Sequence, residues 1–139
     1  MLGLLVVSHG HLAEQLVDAV RTIVGDVEAL ESVSIGWHDK VEKSSKRIED
    51  AIRRVDRGRG VLVLTDMFGG TPTNLALTLH ERDSIEIVTG VNLPMLIKFT
   101  SLRESLELHE AAAQVAERGR EAIQVASQLL QAQPDGESS

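Results

Sequence analysis

Gly60-Val61-Leu62-Val63-Leu64-Thr65-Asp66-Met67-Phe68-Gly69-Gly70-Thr71-Pro72 reads as a strand, a turn and the start of a helix. The first half is uniformly apolar, as suits the centre of a parallel sheet covered by helices on both faces. The second half brings an aspartate, two glycines and Thr71-Pro72, which fit the N-cap and first position of a helix with Leu75, Ala76 and Leu79 as its buried stripe. The amino terminus repeats the design. Residues 2 to 7 form an apolar first strand, Ser8-His9-Gly10 leads out of it, and Leu12, Leu16, Val20 and Ile23 then recur at helical spacing, with Ala13, Val17 and Val24 beside them, up to a capping Gly25. Strand and helix signals alternating in this way predict an α/β fold built from parallel βαβ units.

The rest of the chain extends the pattern. Val33, Ile35 and Trp37 alternate with Ser32, Ser34 and Gly36, predicting a strand with one face more buried than the other. A polar helix follows, with Val41, Ile48, Ile52 and Val55 on one side. Residues 84 to 89 read as a fourth strand, and Asn92 with Pro94 marks the start of a helix through Met95, Leu96 and Phe99. From Leu102 a further helical pattern includes Leu106, Ala113 and Ala116 and breaks at Gly119. Residues 122 to 126 fit a short strand and a continued helix equally well. Residues 1–131 are read as a single domain, and 132–139 as a flexible tail too polar to order itself.

At 139 residues and 42% hydrophobic, the chain has the size of one domain with a real core. It has no cysteine, which excludes disulfides and thiolate metal sites and suits a reducing, cytoplasmic setting. It begins without the basic segment of a signal peptide, and no apolar run approaches the ~18 to 20 residues that span a bilayer. A formal net charge of −7 argues against a nucleic-acid surface. The densest basic group, Lys43, Lys46, Arg47, Arg53, Arg54, Arg57 and Arg59, is interleaved with Glu42, Glu49, Asp50 and Asp56 and reads as a solvated helix face. At 2% aromatic content, platforms for base stacking are missing as well.

Parallel βαβ topology sends the carboxyl ends of the strands to one edge of the sheet, where open α/β folds bind ligands. His9 and Asp66 share that edge. If their strands are neighbours, ~4.8 Å apart, the side chains are within reach of each other. A carboxylate that accepts a hydrogen bond from Nδ1 fixes the imidazole tautomer and leaves the Nε2 lone pair free to attack phosphorus. Gly69 and Gly70 would let the backbone approach the transferred anion, and Thr71 at a helix amino end is suited to hold it. Neither a P-loop nor a Gly-x-Gly-x-x-Gly sequence is present. No metal site and no cofactor are expected: His9, His11 and Asp66 need not converge, and His38, His80 and His109 lie in surface contexts. Met67 and Phe68 either pack down their loop or, with Gly10 and Asn92, offer a docking surface for another protein.

At Val7-Ser8-His9-Gly10, Asp66-Met67-Phe68-Gly69-Gly70-Thr71-Pro72 with Asn74, and Gly90-Val91-Asn92-Leu93-Pro94-Met95-Leu96, the chain resembles the IIA domain of the mannose family of the bacterial phosphoenolpyruvate-dependent sugar phosphotransferase system. The resemblance runs over nearly the whole chain. It implies that His9 accepts a phosphoryl group from the phosphocarrier HPr and passes it to a IIB partner for carbohydrate uptake, that Asp66 hydrogen-bonds that histidine, and that Thr71 contacts the phosphate. It also implies a three-layer α/β/α sandwich with a mainly parallel four-stranded sheet. A short antiparallel strand, Arg120 to Ser127, would be swapped between the subunits of a homodimer. Contact with a membrane would be indirect, through permease components. The sequence carries no fused IIB domain, so two alternatives stand beside transport: a regulatory module controlled by phosphorylation, and the phosphoryl-transfer subunit of a dihydroxyacetone kinase.

Overall fold

In the computed structural model, which describes residues 1–67 and 84–131, β1 (Gly3–His9) lies between β2 (Leu30–Ile35) and β3 (Val61–Thr65), and β4 (Ile85–Thr89) joins the far side of β3. All three pairings are parallel, in the order β2-β1-β3-β4. The register sets Val7 opposite Val33 on one side and Thr65 on the other.

The apolar runs are uniform because both faces of the sheet are covered. Leu4, Val6, Leu62 and Leu64 pack with Val17 and Val20 of α1 (Leu12–Val24), Leu96 and Phe99 of α3 (Leu93–Leu102), and Ala111 and Val115 of α4 (Leu108–Glu121). The alternate residues Leu5, Val7, Val61 and Val63 pack with Ile48, Ile52 and Val55 of α2 (Val41–Val55). A period of two along each strand thus divides the side chains between two cores and produces three layers. On the solvent side of α2 the basic residues pair with acids, Arg53 with Asp50 at 3.3 Å and Arg54 with Glu31 at 2.8 Å.

Two residues fix how closely the layers meet. A Cβ on Gly3 would collide with the carbonyl of Val55, so the end of α2 can lie directly on the start of β1. Arg103, just after α3, is buried and donates from Nε and Nη2 to the Leu2 carbonyl (3.0 and 2.8 Å), from Nη1 to that of Glu28 (2.6 Å) and from Nη2 to that of Ala29 (2.9 Å). Its guanidinium also lies 5.4 Å from the centroid of the Phe99 ring. Burial pushes the Arg103 pKa down from its ordinary value, but the group remains a cation held by carbonyl dipoles.

Three expectations are corrected. β1 continues through His9 instead of ending at Val7. β2 begins at Leu30 and stops at Ile35, because the Asp39 carboxylate accepts the Gly36 amide proton at 2.7 Å and turns the chain, leaving Trp37 outside the strand and exposed. The helix expected from Leu102 is two elements: α3 ends there, and α4 starts at Leu108 and runs through Gly119. Gly119 is a point of close approach, since a Cβ there would lie 2.6 Å from the Met95 sulfur. The strand expected for residues 120–127 was one paired with a second subunit, and within the single chain these residues form none. Arg120 and Glu121 complete α4, 123–125 are irregular, and α5 (Ala126–Gln131) buries no side chain. A strand there needs an edge to pair with, and the described sheet has four parallel strands only. The helix expected from Thr71 and the tail 132–139 lie outside the described residues.

Candidate functional site

His9 closes β1 and Asp66 follows directly on β3, so the pairing of these strands delivers both side chains to the carboxyl edge of the sheet. Ser8 ties this end of β1 to α1. Its hydroxyl accepts the Ala13 amide proton at 2.7 Å and donates to the His9 carbonyl at 3.1 Å, satisfying an N–H in the first turn that His11, at the N-cap, leaves open. Gly10 has φ of 54° and donates its N–H to the Ile35 carbonyl at 2.9 Å. That left-handed turn favours glycine and swings the chain from strand into helix.

The two side chains are in contact. Oδ2 of Asp66 accepts the His9 backbone N–H at 2.9 Å and lies 2.8 Å from His9 Nδ1. Oδ1 accepts the Met67 N–H at 2.9 Å, which orients the carboxylate. Burial of Asp66 favours its neutral form, but the hydrogen bonds from the His9 amide, the His9 ring and the Met67 amide, together with attraction to the imidazole, outweigh it. They hold the carboxyl below its ordinary pKa. With Asp66 ionised, the proton of the Nδ1 contact belongs to the ring, and Nε2 keeps its lone pair. Among the described residues, none hydrogen-bonds Nε2. The side chains of His9 and Asp66 are only 17% and 13% exposed, so their interaction is screened less than a surface pair.

One contact escaped the sequence reading. Trp37 stacks on His9, with ring centroids 4.7 Å apart and planes inclined by 19°. Its signal was the Gly36-Trp37-His38-Asp39 turn directly after an apolar strand, masked by an alternation that extends through Trp37.

The remaining candidates separate. Met67 is exposed beside Asp66. Asn92 reaches the same edge, since the Val91 amide donates to the Thr65 carbonyl at 2.9 Å, but its own side chain is engaged. Oδ1 caps α3 through the Met95 amide (3.2 Å), and Nδ2 donates to the Gly119 carbonyl (3.1 Å). His11 pairs with Glu14 at 3.4 Å and His109 with Glu86 at 2.7 Å. Among the described residues, no three histidine or carboxylate side chains gather as a metal site would require. Phe68, Gly69, Gly70, Thr71 and His80 lie outside the described residues. No helix among the described residues is long and apolar enough to cross a membrane.

Chemically, the arrangement offers an imidazole with one nitrogen fixed as donor by an anion and the other available as nucleophile. The family described as PTS system fructose IIA component (EIIA-man) matches residues 3–116 of the chain. The PTS system fructose-specific EIIA component of Bacillus subtilis is 28% identical over 132 residues, which cover 94% of this chain and 90% of that protein. The PTS system mannose-specific EIIAB component of Escherichia coli is 31% identical over 129 residues, 88% of this chain but 38% of that longer protein. Among solved structures, the PTS IIA protein associated with the fucose utilization operon from Streptococcus pneumoniae is similar with a TM-score of 0.82 and 26% identity, over 92% of this chain and 95% of that one.

Proposed function

The chain belongs to the mannose/fructose IIA family of the sugar phosphotransferase system, and from that premise we propose that His9 carries a phosphoryl group from HPr to a IIB component. The observation that carries the reading is the 2.8 Å contact between His9 Nδ1 and Asp66 Oδ2. The Nε2 lone pair forms the new N–P bond. The N–P bond of the phosphorylated donor breaks, its electron pair returning to the donor's imidazole. The Nδ1 proton stays in place, so His9 becomes a cationic ring that Asp66 neutralises. Transfer to IIB repeats the displacement in the other direction, with His9 as the leaving group. Gly69, Gly70 and Thr71 are proposed to donate to the phosphoryl oxygens, where the three negative equatorial oxygens need hydrogen bonds.

Partners are proposed to dock around His9 on Met67 and Phe68, with Gly10 and Asn92 at the rim. A homodimer is proposed in which Arg120 to Ser127 lies along β4 of the other subunit. Two features support it: Ile123 and Val125 are apolar yet exposed, and a groove of about 350 Å³ runs beside β4, lined by Ile87, Thr89, Asn92, Gly119, Arg120 and Ile123. Choice of sugar is assigned to the membrane components, and a cytoplasmic location follows from the proposed partners.

Incubation with phosphoenolpyruvate, enzyme I and HPr tests the carrier role. One acid-labile phosphoryl group per chain is expected, and none on His9→Ala. Absence of incorporation into the wild-type chain with a competent HPr overturns the reading.

A further inference from the structure

We infer that Trp37 is a positioning residue for phosphoryl transfer, holding the His9 ring and stabilising the positive charge the ring gains when Nε2 bonds to phosphorus. The inference rests on the carrier role proposed for His9.

Burial does not explain this tryptophan. Trp37 is 78% exposed, so it adds little to the core. The backbone nevertheless aims it. Gly36 donates its amide to Asp39 Oδ2 at 2.7 Å, and Asp39 returns its own N–H to the Gly36 carbonyl at 3.2 Å. A Cβ at Gly36 would lie 2.8 Å from Asp39 Oδ1, so a larger residue there would push the carboxylate out of its present place. Arg47 braces it from α2, with Nη1 2.9 Å from the Ser34 carbonyl and 3.8 Å from Asp39 Oδ2. Ile35, the last residue of β2, is the register partner of His9, which puts the start of this turn beside the imidazole.

The stacking geometry suits the chemistry. At 4.7 Å and 19° the indole covers a face of the imidazole, a distance at which an aromatic face attracts a cation. Asp66 engages the same ring in its plane, at Nδ1. The N–P bond at Nε2 also forms in the ring plane, so a tryptophan over the face leaves the in-line path open. When Nε2 donates its lone pair to phosphorus and the donor N–P bond breaks, the ring retains its Nδ1 proton and becomes cationic. Asp66 then balances that charge from the edge and Trp37 from the face. The two contacts also restrict ring rotation, so Nε2 is presented in one direction before the donor arrives.

Single-turnover phosphorylation at varied HPr concentration, giving a saturating rate (kcat) and a half-saturating concentration (KM), with Trp37→Phe, Trp37→Leu and Trp37→Ala beside the wild type, separates this role from others. Leucine and alanine are expected to lower kcat about two- to fivefold at unchanged KM for HPr, the rate equivalent of roughly 0.5–1 kcal/mol for an exposed cation–π contact. Phenylalanine should restore the rate to within about twofold. Trp37 is the only tryptophan in the chain, so its emission should change on phosphorylation of the wild type and stay constant in His9→Ala. An unchanged kcat in the leucine and alanine variants overturns the inference, as does a raised KM at constant kcat, which would assign Trp37 to partner docking. A wild-type chain that takes up no phosphate overturns the carrier role and the inference together. Normal uptake with indifferent Trp37 variants overturns the inference alone.

Discussion

Oδ2 of Asp66 serves both the backbone and the ring of His9, so one carboxylate fixes where the imidazole sits and which nitrogen is protonated. Asp66→Asn keeps the shape but removes the charge that balances a phosphorylated ring. Phosphorylation by HPr should fall on the order of 10²-fold, read from single-turnover kinetics, with the fold retained. The same carboxyl makes a pH prediction. Its folded pKa lies below the unfolded value of about 3.9. Its contribution to stability is therefore complete above that value and is lost as pH falls through the lower folded one. Denaturant midpoints of wild type and Asp66→Asn should accordingly differ by a constant amount at neutral pH and converge only in strong acid. His9 and Asp66 were legible in the sequence because each closes an apolar run, and parallel topology brings such ends together. Trp37 was not, because period-two alternation marks a strand without marking where it stops; the end of β2 is set by the Asp39 carboxylate on the Gly36 amide.

Elements meet through a few backbone contacts, and these are the sensitive points of the fold. Arg103 joins the end of α3 to the carbonyls of Leu2, Glu28 and Ala29. Arg103→Met keeps the apolar bulk and leaves buried carbonyls without a donor, so urea unfolding should show a loss of about 2–4 kcal/mol. Gly3→Ala should also destabilise, by about 1–3 kcal/mol in the same measurement, because the Val55 backbone has to move aside. β1, β3 and α1 were readable because long apolar or helix-periodic runs dominate local propensity. Gly119 misled for a physical reason. Glycine ends helices by its local freedom, but here it lies inside α4 where the Met95 side chain of α3 packs closely against it, a contact between elements that no local pattern encodes.

For the molecule as a whole, the two covered faces of the sheet support the carboxyl edge at which His9 and Asp66 meet. The far end of the chain is less self-sufficient: Ile123, Val125, Leu129 and Leu130 are exposed and α5 buries nothing. In the proposed dimer the first two of these are covered. Sedimentation equilibrium should find a dimer for the wild type and monomers for Ile123→Asp combined with Val125→Asp, with the far-ultraviolet circular dichroism of the sheet and helices retained. The sequence left 122–126 open between helix and strand because its short apolar alternation fits both, and a strand forms only where a sheet edge is available to pair with. The central claim is narrower than assembly: Asp66 holds Nδ1 of His9 so that Nε2 is the nucleophile. Nitrogen-15 NMR of the chain phosphorylated by HPr tests it most directly, because the shifts of the two ring nitrogens tell the phosphorylated one from the protonated one. The account predicts phosphorus on Nε2 of His9 and a proton on Nδ1; phosphorus on Nδ1, or on any other residue, contradicts it.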